Sequence, residues 1–303
     1  MRLLRTLVLL LAAALAPSGA LAQPQPLGAL WTDGKGSVEV IPCGPHGDYD
    51  AYCRGIGMRH AGKLELVGEG YASVDLIWQR RAGAAGPDLV VRGNSGGSAG
   101  DADIFALDFA HGTVRKLNLN RGDTVTASGG DGPLRLEVPF VVGYFNGAPH
   151  AQDTVVAVPF VWVDGDLRLD IDALAARPFS QGELRFRELA VREELTHRAQ
   201  NLFPATTLYV SGPHPQGGTP VTVYALLDLI LAGRADAART LLHRAWPWRY
   251  DGGRVPYGGE DAFWASLCRA ISQREHWRKF GFDRLPHADL IEASARAPAA
   301  ITG

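Results

Sequence analysis

The residues best suited to covalent chemistry are Gly93-Asn94-Ser95-Gly96-Gly97, a serine flanked by glycines two positions before and one and two positions after it. A serine hydroxyl becomes a nucleophile when a neighbouring base takes its proton and backbone N–H groups face the oxyanion that forms. Flanking glycines suit that task, because they allow a sharp turn that leaves the hydroxyl exposed. They suit a plain turn between strands equally well, where Asn and Gly supply positive φ at little cost.

The pattern satisfies the nucleophile elbow of α/β-hydrolases and resembles the serine signature of trypsin-like proteases of the periplasm. The first resemblance implies a strand before the serine and a helix after it. Leu89–Arg92 supplies the strand, but Ser98-Ala-Gly-Asp-Ala-Asp103 and another strand follow. The second implies the order His, Asp, Ser, with most of two β-barrels complete before the serine. Ser95 comes too early for that, and His46 and His60 lie too near it in the chain. The segment therefore reads as a glycine-rich turn, with a serine hydrolase built on Ser95 as the alternative.

Paired carboxylates invite a hard cation. Asp101-Ala-Asp103, Asp164-Gly-Asp166 and Asp170-Ile-Asp172 each put two carboxylates on one strand face or in one turn, an oxygen-rich setting that calcium prefers. None has EF-hand spacing, and Asp and Gly are also what hairpin turns require. Asp101, Asp103, Asp164 and Asp166 are thus candidate ligands of a calcium-stabilised module, a third reading. The nine histidines include no H-E-x-x-H or H-x-H, and the pair Cys43/His46 loses its thiolate if Cys43 is oxidised. No cofactor is expected.

Three cysteines are present. Cys43 and Cys53 bracket a Gly/Pro-containing turn and are placed to close a small loop between two short strands, worth about 3 kcal/mol in the chain-entropy model. Cys268 lies in Ala262-Phe-Trp-Ala-Ser-Leu-Cys268, a helical apolar stretch, and reads as a buried free thiol. Trp246-Pro-Trp-Arg-Tyr250, with Tyr257 behind it, gathers rings on a Pro-containing loop. Trp248, Tyr250 and Tyr257 are candidate binding residues for a sugar or protein surface; the competing reading has them seal the helical part against the rest.

These residues must be held by two kinds of element. From Trp31 to about Asp172 short apolar segments alternate with period two between Gly, Asp, Asn and Pro: 37–41, 63–67, 73–78, 88–92, 104–109, 113–119, 123–127, 134–142, 154–163 and 167–171. This predicts an antiparallel β-rich sandwich or barrel and excludes parallel βαβ architecture. Leu136-Glu-Val-Pro-Phe-Val-Val142 and Val156-Ala-Val-Pro-Phe-Val-Trp162 echo each other, which predicts paired strands with Pro139 and Pro159 at harmless positions.

After Pro178 the period lengthens. Helices are expected over Glu183–Ala199, Val221–Leu231 and Ala235–Trp246, with Thr219 as N-cap, Pro220 at the first turn and Gly233 as the stop between the last two, an αα-hairpin. A final helix is expected from Glu260 to Phe280, with fraying past Ile291. The expected division is 1–22 signal peptide, 23–175 β-rich domain, 176–292 helical domain and 293–303 flexible tail: an α+β chain.

The N-terminus supplies the address. Arg2 and Arg5, the apolar run Leu7–Ala16, the break at Pro17 and Gly19, and Ala20-Leu21-Ala22 form a secretory signal with cleavage between Ala22 and Gln23. The apolar run is well short of the roughly 20 residues that span a bilayer, so the mature chain is expected to have no transmembrane segment. Cleavage leaves 303 − 22 = 281 residues, with 30 − 2 = 28 Lys+Arg against 32 Asp+Glu, a formal charge of −4. That balance argues against nucleic acid as a partner. The expectation is a non-catalytic periplasmic or secreted protein that binds an envelope protein or glycan.

Overall fold

A computed structural model describes residues 27–43, 53–97, 100–129, 132–143, 154–199, 221–247 and 259–297. The expected signal peptide, His46, the Trp248–Tyr257 aromatics, Thr219, Pro220 and residues 298–303 lie outside the described residues.

Period two becomes strands throughout the N-terminal part. β1 (Gly28–Thr32), β2 (Gly36–Pro42), β3 (Arg54–His60) and β4 (Lys63–Tyr71) form one antiparallel sheet in that order. β5 (Ser73–Gln79), β6 (Leu89–Gly96), β7 (Asp101–Asp108) and β8 (Thr113–Leu119) form a second. The third has the order β12-β11-β10-β9, from β9 (Thr126–Ser128), β10 (Arg135–Val142), β11 (Thr154–Val163) and β12 (Asp166–Leu169). Neighbours in each sheet are neighbours in sequence, as short connections favour.

The second sheet uses both of its faces. Val91, Phe105 and Leu107 pack with Val38, Ile56 and Met58 of the first sheet, whereas Val90, Ile104 and Ala106 join a cluster with Val138, Val158 and Phe160 of the third. Successive side chains of one strand therefore serve two cores, which explains the unbroken apolar runs Leu89–Val91 in β6 and Ile104–Leu107 in β7.

Turn chemistry accounts for several connections. Asp164 and Gly165, at φ 52° and 77°, make the two-residue turn between β11 and β12, where an Asp-Gly pair is favoured. Cys43 and Cys53 are disulfide-bonded, with Cα atoms 5.6 Å apart, just beyond the paired ends of β2 and β3. The echoed segments pair as β10 and β11, with Pro139 opposite Ala157 and Pro159 opposite Glu137. β9 covers β10 over 135–137 and β12 covers β11 over 160–163, so neither proline faces a residue of a flanking strand.

Helices follow: α1 (Ile171–Ala175), α2 (Gln181–Ala199), α3 (Val221–Leu231), α4 (Ala235–Ala245), α5 (Glu260–Ser272), α6 (Glu275–Lys279) and α7 (Ala288–Ala295). Asp170 caps α1 by accepting from the Ala173 N–H at 3.0 Å. α3 ends in a glycine cap: the Arg234 N–H donates to Leu229 O and the Gly233 N–H to Ile230 O, with Gly233 at φ 72°. These are the two bonds of a Schellman motif, which needs the left-handed conformation glycine adopts freely. The buried Glu194 of α2 accepts from the Thr222 N–H at 2.7 Å and its hydroxyl at 2.9 Å, placing a carboxylate where the first N–H groups of α3 need one. α2, α3, α4 and α5 share one apolar cluster with the third sheet.

β1, β3 and α1 are not among the expected segments, and three further elements differ from the sequence expectation. The segment 123–127 divides into a 3₁₀ turn, Gly122–Thr124, and the short β9, because Gly122 lies against Ala102 where a Cβ would sit 2.8 Å from the alanine methyl. The expected helix 260–280 breaks at Arg274, whose backbone is extended while its guanidinium donates to Gly143 O at 3.0 Å. His276 then reaches Asn118 O at 3.1 Å, so contacts with the β-rich part set the break. α7 continues to Ala295, where Ser294 accepts from the Trp264 indole N–H at 2.9 Å and Arg269 donates to Ala295 O.

Candidate functional site

Ser95 lies near the end of β6 and is exposed, with its hydroxyl donating to Asp101 O at 2.8 Å across the turn to β7. Asn94 accepts from the Gly96 N–H at 2.8 Å, and Gly96 and Gly97 sit at φ 79° and 80°. Gly93 has a different reason. A Cβ there would meet the ring of Tyr71 at 2.6 Å. The glycine that opens the Gly-x-Ser-x-Gly pattern is thus the floor on which a buried tyrosine rests, and the later ones form a tight turn.

Tyr71 leads to a buried polar network. Its hydroxyl donates to Asp103 Oδ2 at 2.6 Å, Lys116 Nζ lies 2.7 Å from the same oxygen, and Asn118 donates to Oδ1 at 2.7 Å. Burial pushes the Asp103 carboxyl up, but the bonds from Lys116, Tyr71 and Asn118 outweigh it and hold the group below the usual aspartate range. Burial, followed by the bond to Asp103, raises the Tyr71 phenol. Asp103 therefore joins β4, β7 and β8 as a neutralised carboxylate.

The other acidic candidates are spread over separate turns. Asp101 is exposed at the start of β7. Asp164 occupies the β11–β12 turn, 3.9 Å from Arg168, and Asp166 lies 3.7 Å from Arg115 while accepting from the Leu167 N–H. Among the described residues, no three His, Cys, Asp or Glu side chains come together as a metal site. Cys268 is buried and unpaired, and burial pushes its thiol up to about 12.

A second buried carboxylate ties the helices. Asp228 of α3 accepts from Arg177 Nη1 at 3.0 Å and Arg187 Nη2 at 2.8 Å, and Arg187 also reaches Glu183. The Phe179 ring lies 5.1 Å from the Arg187 guanidinium and 4.8 Å from that of Arg234. A buried charge so fully matched is a clamp, since losing either partner would strand the other.

A third buried carboxylate, Asp88, stands in a different setting. The 80–88 connection between β5 and β6 and the turn between β1 and β2 enclose a polar cleft of about 400 Å³, lined by Trp31, Asp33, Lys35, Gln79, Arg80, Arg81 and Asp88 with Ala82, Gly83 and Ala84. Asp33 shapes one wall by accepting from the Lys35 N–H at 2.7 Å and the Gly36 N–H at 3.2 Å. Asp88 anchors the other. It pairs with Arg80, lies 3.4 Å from Lys35 Nζ, and accepts from the Phe109 N–H at 2.7 Å. Trp31 stacks on Phe109 with centroids 5.2 Å apart, which fixes the indole at the cleft's edge.

The sequence reading did not single out this cleft, because its residues come from segments nearly fifty positions apart. The available signals were Arg80-Arg81 at a strand end before a run of small residues, and a tryptophan two positions before Asp33. Trp248, Tyr250 and Tyr257 lie outside the described residues. Among the described residues, no helix is long and apolar enough to cross a membrane. No family model, characterised protein or solved structure matches this chain.

Proposed function

We propose that this chain is an exported, non-catalytic binding protein of the periplasm, matured by cleavage between Ala22 and Gln23 and directed at an envelope protein or glycan. In this reading its β-rich part is a sandwich, and α3 and α4 form the αα-hairpin on which the helical part is built. Export is supported by the Arg-led apolar leader and by the Cys43–Cys53 disulfide, a bond that persists in oxidising compartments.

The observation that carries the non-catalytic reading is the use made of Ser95. Its hydroxyl donates to a backbone carbonyl, and Gly93 serves the Tyr71 ring. Catalysis would need that proton passed to a base, and Ser95 has no bond to a histidine or carboxylate side chain among the described residues.

The test is a fluorophosphonate serine probe applied to the chain purified from the periplasmic fraction, with N-terminal sequencing of the same sample. An N-terminus at Gln23 and no labelling are expected. Labelling that disappears in Ser95→Ala would establish the serine hydrolase instead. A melting temperature lowered by chelator would establish the calcium-stabilised module through Asp101, Asp103, Asp164 or Asp166. Photocrosslinking from Trp248 or Tyr250 is expected to capture an envelope component.

A further inference from the structure

The cleft beside Trp31 differs from the other buried charge clusters in what it leaves unmatched. Arg177 and Arg187 each have an oxygen of Asp228, and Lys116 closes on Asp103. At the cleft, Arg80 and Lys35 approach the same oxygen of Asp88, while its other oxygen is taken by the Phe109 N–H. Arg81 is exposed on the cleft wall; its carbonyl accepts from the Ala84 N–H, while its guanidinium makes no ion pair or hydrogen bond among the described residues. The lining thus sets three cations against two carboxylates, in a chain whose formal charge is −2.

We propose that this cleft binds an acidic saccharide, a hydroxylated ring bearing a carboxylate. This rests on the binding-protein reading above and names its ligand class. Arg81 offers a planar guanidinium to a carboxylate in the two-pronged geometry such groups favour, and Lys35 adds a second positive charge at the mouth. Trp31 supplies a rigid apolar surface for the ring, held in place by Phe109. Gln79 and the second oxygen of Asp33 are left to meet hydroxyls. The walls are set before a ligand arrives, because Asp33 and Asp88 fix both connections by backbone bonds, which lowers the ordering cost of binding. A volume of about 400 Å³ lies in the range of small-ligand sites. A net excess of one positive charge beside one indole suits one carboxylate-bearing sugar unit at a time, free or within a chain of such units.

The test is calorimetric titration of the purified chain with tetragalacturonate, with maltotetraose and inorganic phosphate as comparators. Saturable tetragalacturonate binding that weakens with added salt is expected. Arg81→Ala should weaken it by about tenfold or more with no change in melting temperature, since the Arg81 guanidinium has no structural partner among the described residues. Trp31→Phe, which keeps a ring on Phe109, should weaken it severalfold. Absence of saturable binding at millimolar tetragalacturonate overturns the proposal. So does equal binding of maltotetraose, equal binding of phosphate, or an Arg81→Ala affinity equal to wild type. If the cleft fails while the chain still retains envelope material independently of Arg81, the binding-protein reading stands alone. Serine-probe labelling lost in Ser95→Ala removes that reading whatever the cleft does.

Discussion

Substituting Gly93 separates a packing glycine from a catalytic one. An alanine Cβ at this position would lie 2.6 Å from Tyr71 ring carbons, closer than real Cβ atoms come to other atoms, so the ring must move. It has little room. Its hydroxyl is held by Asp103 at 2.6 Å, a Cβ on Gly68 would lie 2.5 Å from that same hydroxyl, and Phe105 meets the ring edge-on at 6.2 Å. Overpacking costs about 1–3 kcal/mol, and a hydrogen bond to a charged partner contributes about 1.5–3 kcal/mol. With partial relaxation, Gly93→Ala should lose about 2–4 kcal/mol, a fall of roughly 5–10 °C in melting temperature for a chain of this size.

The assay is urea and thermal unfolding of four proteins: wild type, Gly93→Ala, Tyr71→Ala and the double variant. Removing the ring vacates the space, so Gly93→Ala should cost much less in the Tyr71→Ala background, with a coupling energy above about 1 kcal/mol. Gly97→Ala is the control for backbone strain alone, since no atom lies within 4 Å of its Cβ position. A Gly93→Ala protein as stable as wild type, or one equally destabilised with and without Tyr71, would refute the packing account.

Other consequences follow from the same geometry. Asp103 is held below the usual aspartate range, so its stabilisation is present above the ordinary value near pH ~4 and is lost as pH falls through the folded-state value; Asp103→Asn should flatten the acid limb of a stability–pH curve. Burial lowers the His276 pKa, and its stabilisation is therefore full above about pH 6.5 and declines as pH falls through the folded value, a slope that His276→Gln should remove. Cys268, buried with its thiol pushed up to about 12, should react with a chromogenic disulfide reagent only after denaturation. Gly233→Ala should cost about 1 kcal/mol or more in urea unfolding, because φ 72° disfavours a side chain and a Cβ would meet Pro286 at 2.9 Å.

What could be read directly was local. Period two located most strands, and helices form where spacing and the glycine between them placed Val221–Leu231 and Ala235–Trp246, the second ending one residue sooner at Ala245. Cys43 and Cys53 were pairable because few residues separate them and strands flank both. The echoed Val-Pro-Phe-Val segments paired for a similar reason, being adjacent strands of one meander. β3 was harder to recognise, because Gly55 and Gly57 interrupt its alternation; their bare backbone leaves room for Ile41, Leu64 and Leu66.

The candidate site was less legible. The glycine–serine signature was visible, yet its meaning depended on Tyr71, more than twenty residues away, resting on Gly93. The cleft was not visible, because Trp31 with Lys35 and Arg80 with Arg81 gain a common purpose only when Asp88 draws their connections together.

The staple, the strand and helix periods and the glycine stop at 233 were legible because each depends on residues within a turn or two of one another. Tertiary structure alone decided how the strands divide among three sheets, where the last long helix breaks, and which charges are matched. A carboxylate's fate depends on what reaches it in space. Asp103 and Asp228 found enough partners to become structural, and Asp88 gathered cations around an open cleft that leaves Arg81 unpaired.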